Sequence, residues 1–388
     1  MLQLVDIDEI LPGMYIVKVT KQAGKIKITK AGKISSLQDL AELAQKGILQ
    51  VQVDLSKSTH LDDQSTDDDL EQTAIDLTYN QQLEHALKLH DRAKSIQERL
   101  IKRVGKGKIT DLEEINQITE QIVNSAFECD DALFIVTMVK HNDEYLLEHS
   151  INCAILIVLF GRALGLDKSI ILQLGVGALL MDIGMAKMPM LMTQKPDSLS
   201  PQETLRMERH VEIALKLIDP IEGVSKISRA VIEQHHERLD GSGYPAGLRE
   251  GQISEYGKMA AIVDTFDALT SDRPYRQALK PSDAIKKLAE EAGLDKNLVE
   301  TFISCVGTNP VGSLVKLSSG KLAMVMRLNK HQPLSPVVMV FYNLTTKLDE
   351  IAQLDLSKVD DKIVGSVSPD DFGIGLSSFL SQSFFKAQ

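Results

Sequence analysis

Four histidine positions and two aspartates carry the chemistry that is legible in this chain. His149, Asp182, His210, the adjacent pair His235-His236, and Asp264 recur at intervals of roughly 25 to 33 residues, about the length of a three- or four-turn helix plus its connection. A series with that interval deposits about one polar ligand on each successive helix of a bundle. Its flanks are strongly apolar, from Ile151 to Phe160 and from Ile170 to Met181. Ionised aspartates and several imidazoles facing such a core are costly unless paired or bound to metal. Mixed imidazole and carboxylate ligands without thiolate suit iron, manganese, zinc or nickel. An aspartate can bridge two such ions, and paired metals stabilise the attacking and leaving oxygens of a phosphoester displacement. Taken singly, each residue has a simpler reading: a helical histidine such as His149 or His210 is ordinarily a core or surface residue, and an isolated Asp182 or Asp264 a helix-terminal or salt-bridged acid. His235 and His236 would point about 100° apart on a helix, so one of them could be incidental. The ordered recurrence is what points to metal.

The elements that must position these residues follow from the period of the sequence. From Leu77 to about Val306 the pattern is helical almost throughout. Ser200-Pro201-Gln202-Glu203 reads as a capping box with proline at the first helical position. Gly165 closes the helix before it, Asp167 caps the next, and Pro281 and Gly293 bracket another. Residues 1–53 carry short alternating runs, Tyr15-Ile-Val-Lys-Val and Lys25-Ile-Lys-Ile, followed by an amphipathic stretch from Ser36 to Lys46, the signature of a small α/β N-terminal domain. Residues 54–76 hold eight acids and a single lysine and read as an acidic, solvated linker. In residues 307–388, Gly312-Ser-Leu-Val-Lys-Leu, Leu322-Ala-Met-Val-Met and Val337-Val-Met-Val-Phe-Tyr read as strands, with turn signals at Asn329 and Pro333. The expected fold class is mainly α: a helical bundle over residues 77–306, a small α/β N-terminal domain and a β-rich C-terminal segment.

Composition narrows the function classes. A chain of 388 residues is too long for one ordinary compact domain, and 43% hydrophobic with 25% charged residues is globular rather than disordered. The net charge of −11 argues against DNA or another general nucleic-acid partner. An anionic ligand remains compatible where metals or a few arginines focus positive potential in one cleft. Cys129, Cys153 and Cys305 have no paired spacing, which excludes a disulfide scaffold and a cysteine zinc site and fits a reducing compartment. No basic region precedes an apolar stretch at the N-terminus, and the longest apolar run, Cys153 to Phe160, is far short of the roughly 20 residues that span a bilayer. The expectation is a cytoplasmic chain without a membrane partner.

A resemblance adds to this reading. His235-His236-Glu237-Arg238-Leu239-Asp240-Gly241-Ser242-Gly243-Tyr244-Pro245 resembles the signature of HD-GYP domains. Asp264-Thr-Phe-Asp267, Arg273-Pro-Tyr-Arg276, Glu148-His149-Ser150, Gln194-Lys195-Pro196 and the helix bearing Glu203 and His210 match as well, so the resemblance covers about residues 140–306. Leu4 to Val19 is similar to a small domain of uncharacterised role often found before HD-GYP domains. The resemblance implies an HD-type helical bundle and a metal-dependent phosphodiesterase that hydrolyses cyclic di-GMP to pGpG or on to GMP. Its cofactor would be iron or manganese, one or two ions per chain. By that resemblance His149 and Asp264 hold the first metal, and His210, His235 and His236 the second. Asp182 bridges both and positions the attacking hydroxide. Tyr244, Arg273 and Arg276 meet the guanine and phosphates, a task for which arginine's planar fork is suited. Arg273 to Arg276 also reads as a helix-terminal surface turn, and Gly241 and Gly243 as turn chemistry. Beyond cyclic di-GMP, the candidate partners are a diguanylate cyclase or another signalling protein, and a second copy of the chain through the helical stretch from Leu83 to Leu100.

The chain departs from the family pattern at two positions. The His-Asp pair that gives the family its name is Met181-Asp182 here, and the Ile-Gly-Lys continuation reads Ile183-Gly184-Met185. A thioether is a soft, weak ligand for a hard divalent ion, so the first site loses one nitrogen while the second keeps its set. Met181 also ends the apolar run Ala178-Leu-Leu and reads as core. Lys187 lies about 200° around a helix from Met185, a poor place from which to replace the lysine. Tyr145 stands where members with a third metal carry glutamate, so no third ion is expected. Two functions remain: a phosphodiesterase weakened by the lost ligand, or a degenerate domain that senses cyclic di-GMP or docks on a partner without cleaving.

Overall fold

A computed structural model describes residues 2–6, 10, 15–22, 32–33, 48–54, 67–105, 111–138, 145–189, 192, 195, 197–272, 276–329, 332–346 and 348–367. The chain divides into two compact units, Met1–Thr78 and Tyr79–Gln388.

In the first unit, β1 (Leu2–Asp6), β2 (Tyr15–Gln22), β3 (Gly32–Lys33) and β4 (Ile48–Asp54) form an antiparallel sheet in the order β1-β4-β2-β3. Val51 and Val53 are buried while Gln52 between them is not, the period-2 pattern of a strand with one apolar face. With Val5, Ile10, Ile16 and Ile48 they make a core of their own. Lys25 to Ile28, the expected helix at Ser36 to Lys46, and residues 55–66 of the expected linker lie outside the described residues. Helix α1 (Asp67–Gly105) begins inside the stretch read as linker. Its first three residues are Asp67-Asp68-Asp69. Charge density that reads as solvation in a linker also starts a helix.

The second unit holds α2 (Glu113–Glu128), α3 (Asp130–Met138), α4 (Tyr145–Ala163), α5 (Lys168–Leu180), a 3-10 turn (Ile183–Lys187), α6 (Pro201–Glu208), α7 (His210–Ile218), α8 (Lys226–Gln234), α9 (Glu255–Thr270), α10 (Pro281–Glu290) and α11 (Lys296–Val306). Every residue from Ile151 to Phe160 is buried, so α4 is central, flanked by α5 and α9, with α8 beyond α5. Phe160, Phe266 and Phe302, from α4, α9 and α11, meet edge to face at 5.3 Å. The capping box forms as the sequence predicts: Ser200 N donates to Glu203 Oε2 at 2.7 Å, and Glu203 N to Ser200 Oγ at 3.3 Å. The helix expected to carry both Glu203 and His210 is broken at Arg209 into α6 and α7. Asp167 takes the N-cap position of α5, yet its side chain makes no capping bond.

After α11 come β5 (Leu314–Leu317), β6 (Lys321–Arg327), β7 (Val337–Asn343), β8 (Leu348–Asp355) and β9 (Ile363–Ser366), antiparallel in the order β8-β7-β6-β5-β9. Leu322 to Met326 on β6 are consecutively buried, the pattern of a strand covered on both faces. The chain is therefore mainly helical with a β-rich C-terminal segment. Leu83, Ala86, Leu89, Ala93, Ile96 and Leu100 are all buried within this one chain. The apolar face of α1 is thus covered within the chain. Lys168–Lys187 is long and apolar enough to cross a membrane, but most of it is buried inside the fold as core.

Candidate metal centre

The six expected ligands arrive from five places in the fold. His149 lies in the first turns of the buried helix α4, and Asp182 is the second residue after α5. His210 opens α7, His235 caps the end of α8 with His236 just after it, and Asp264 lies within α9. Because the helix has ended, His235 and His236 are freed from the 100° offset, and their rings lie 4.1 Å apart between centroids. Gly184 is what lets Asp182 approach His210: a Cβ there would overlap the His210 carbonyl oxygen.

The hydrogen bonds settle the tautomers of the histidine-rich half. His210 Nδ1 donates to the Met207 carbonyl and His235 Nδ1 to the Ile232 carbonyl, both at 2.9 Å. Each Nε2 must then present a lone pair. Those two Nε2 atoms face one another at 3.4 Å, and Asp182 Oδ1 lies 3.4 Å from His210 Nε2. Acceptors aimed at acceptors in a buried place are favourable only around a cation. Ligand atoms of Asp182, His210, His235 and His236 all lie within 4.8 Å of one another. Burial pushes His235 down to about 3, with the neighbouring His236 imidazole acting the same way, and burial also lowers His210, so both stay neutral and able to ligate. Burial opposes ionisation of Asp182, but the His149, His210 and His235 imidazoles together hold its carboxyl below the usual range. Asp182 Oδ2 is buried without a hydrogen bond, which in an apolar setting costs roughly 1–3 kcal/mol unless something else satisfies it.

The other half is built from carboxylates. His149 Nδ1 lies 2.7 Å from Asp267 Oδ2, and its Nε2 lies 3.0 Å from Asp264 Oδ1 and 3.5 Å from Asp182 Oδ2. Asp267 is fully buried and also accepts from Ser271 Oγ at 3.2 Å. It is placed to orient His149 so that Nε2 faces Asp264 and Asp182. His236 Nδ1, 3.3 Å from Asp264 Oδ2, joins the two halves. Burial opposes the charge on Asp264, yet the His236 and His149 imidazoles hold it well below the ordinary carboxylate range. Cys153 Sγ lies 3.8 Å from His149 Nδ1, and burial raises its thiol to about 12. The donor set fits one or two divalent cations.

The loop after His236 is held by Glu237, whose carboxylate accepts the Ala246 and Leu248 N–H groups, each at 2.8 Å. Gly243 packs against the backbone of His236 to Arg238, where a Cβ would collide. That contact presents Tyr244, whose ring lies 4.6 Å from the His236 ring at 33°. Burial raises the Tyr244 hydroxyl, which stays neutral as a donor. Arg276 is half-buried and donates through Nη2 to the Ala268 carbonyl of α9. Arg273 and the Tyr145 side chain lie outside the described residues. Met181 is wholly buried in the hydrophobic core and Met185 half-buried on the 3-10 turn. Asp267 and Glu237 both lie in the motifs that carry the family resemblance, and neither is an expected ligand. Their signal was there as acids spaced next to ligands, but their partners could not be read.

The chain is similar to known proteins in sequence. A family described as "HD domain" matches residues 135–298, and one described as a domain of unknown function, DUF3391, matches residues 2–115, beyond the expected N-terminal boundary. The chain is 30% identical over 345 residues to the cyclic di-GMP phosphodiesterase PA4108 of Pseudomonas aeruginosa, covering 86% of this chain and 83% of that protein. It is 30% identical to the 3'3'-cGAMP-specific phosphodiesterase 1 of Vibrio cholerae over 44% of this chain and 40% of that one. The solved structure of Bd1817, an HDG"Y"P protein from Bdellovibrio bacteriovorus, aligns over 78% of this chain and 98% of its own at 18% identity and a TM-score of 0.47.

Proposed function

Because this chain belongs to the HD-GYP family of HD-domain proteins, we propose that it is a metal-dependent phosphodiesterase acting on cyclic di-GMP. The observation that carries this reading is the convergence of Asp182, His210, His235 and His236, with acceptor atoms facing one another in a buried place. His210, His235 and His236 would hold one ion, His149 and Asp264 a second, with Asp182 bridging. A divalent cation, iron or manganese, supplies Lewis-acid stabilisation of the charge that builds on phosphoryl oxygens. The chain's own residues do the rest. Met207 and Ile232 carbonyls and the Asp267 carboxylate hold three imidazoles in the ligating tautomer. Tyr244, packed on His236, is placed to meet a nucleobase or donate to a phosphate. Arg273 and Arg276 are assigned to the phosphates on charge and on the five donors each guanidinium carries. Cyclic di-GMP is preferred over 3'3'-cGAMP because the relative named for it spans most of both chains.

The test is hydrolysis of cyclic di-GMP by protein reconstituted anaerobically with iron(II) or manganese(II), followed to pGpG and GMP with 3'3'-cGAMP as competitor. Asp182→Ala should lose both bound metal and product; undiminished hydrolysis by that variant would overturn the reading. A second reading, a sensor that binds without cleaving, is favoured by one observation: Met181 is packed in the core where the family carries an imidazole. It predicts cyclic di-GMP binding with no product at any metal loading, and product appearing in Met181→His.

A further inference from the structure

Two side chains of α1 reach the segments that carry the ligands. Gln97, 4% exposed, donates Nε2–H to the Leu179 carbonyl at 2.6 Å. Leu179 lies in the last turn of α5, where carbonyls have no partner within the helix, so the Gln97 amide supplies one from outside. Asp182 follows three residues later. One turn before Gln97, Lys94 places its ammonium 3.4 Å from Glu148 Oε1. Glu148 is 3% exposed and immediately precedes His149 on α4. The same helix is anchored by Leu83, Ala86, Ala93, Leu100 and Val104, all buried, so it offers Lys94 and Gln97 from a fixed position.

We infer that Lys94 and Gln97 are positioning residues of the metal centre: from one rigid helix they set where α4 presents His149 and where α5 ends before Asp182. The inference rests on the metal reading above. His149 Nε2 and Asp182 Oδ2 are 3.5 Å apart, and they come from helices whose relative shift these two contacts restrain. Neither residue touches a ligand atom, so the effect is on geometry. Ligand geometry matters most where few ligands are present, and the half containing His149 has lost the family's imidazole to Met181.

The experiment is a manganese(II) titration of the full chain followed by the electron paramagnetic resonance signal of free ion, beside thermal melts of the metal-free protein. Gln97→Leu and Lys94→Met should each weaken manganese binding by about 10-fold, as loss of outer-shell partners does, while Lys94→Arg and the exposed Lys102→Met stay within about twofold of wild type. The metal-free melting temperature of Gln97→Leu should change little, because orphaning the Leu179 carbonyl is offset by removing Gln97 Oε1, which is buried without a hydrogen bond. A purely structural role would give the reverse, a lowered melting temperature with manganese affinity intact, and would overturn the inference. So would manganese binding within about twofold of wild type in both variants. Should Gln97→Leu fail to fold, Lys94→Met at its partly exposed position decides the matter. Wild-type protein that binds no manganese would defeat the metal reading itself, which separates that failure from this one.

Discussion

The two halves of the candidate metal centre are held in place by different means. In the histidine-rich half, His210 and His235 are each oriented by the carbonyl three residues earlier, a contact local to one turn of chain. In the carboxylate half, His149 is oriented by Asp267 and faced by Asp264, side chains of a helix more than a hundred residues away. Local contacts survive wherever the turn forms, whereas the others require α4 and α9 to pack in register. Met181, which by the resemblance stands where the family carries an imidazole, belongs to the second half. The comparison teaches that tolerance to change should be unequal: the locally oriented half should bind an ion on its own, and the tertiary half should depend on its neighbours.

The largest expected effect breaks the first half. His235→Ala should weaken manganese affinity by about 100-fold or more, with His149→Ala falling between that and the roughly 10-fold cost typical of an outer partner. Isothermal titration of both variants checks this, and equal losses would erase the distinction between the halves. Met181→His sharpens the comparison. An imidazole buried in the core position of Met181 should cost the metal-free protein about 1–3 kcal/mol, and manganese should restore more stability to this variant than to wild type. Urea unfolding with and without the ion measures both terms; an identical metal-induced gain in the two proteins would mean the new ring does not reach the ion.

Asp267→Asn tests the tertiary half more gently. With the charge beside His149 Nδ1 removed, affinity should fall by about 10-fold while melting of the metal-free chain changes little. Affinity unchanged would show that His149 needs no orienting partner. The smallest effect lies outside both halves, in the C-terminal sheet. Asp361 accepts from Ser318 Oγ, Ser319 N, Ser319 Oγ and Lys362 N, tying the β5–β6 turn to the segment before β9. Partial burial opposes its charge, but these bonds hold its carboxyl below the usual range. A depressed folded value means the stabilisation is complete above the ordinary carboxylate range and is lost as pH falls through the folded value. Asp361→Asn should therefore lower stability by about 1 kcal/mol near neutrality, with the gap to wild type closing in acid and manganese affinity unmoved. A change in manganese affinity would remove it as an independent reference.

Much of the centre was legible beforehand because its ligands are spaced by helix lengths. His149, Asp182, His210, His235, His236 and Asp264 do converge, and the capping box at Ser200 and the strand at Val337 lie where their periods place them. The start of α1 was misread because three aspartates look alike in a linker and in a first helical turn. The single helix expected through Glu203 and His210 was two, since nothing in Arg206 to Arg209 marks a break. The apolar stripe from Leu83 to Leu100 announced burial but not whether the covering surface belongs to this chain or another.

Alone, the sequence determined which ligand types exist, their order, and some helix starts such as the capping box at Ser200. Those properties depend on residues within one or two turns of each other, and side-chain chemistry at short range is written in contiguous letters. Only the tertiary structure decided that Asp267 sits on His149, that Gly184 admits Asp182 beside His210, that Asp182 Oδ2 lies 3.5 Å from His149 Nε2, and that Gln97 bonds the last turn of α5. Each of these joins residues far apart in the chain, and their meeting follows from how apolar faces pack, a cooperative outcome of the whole core that no local pattern carries.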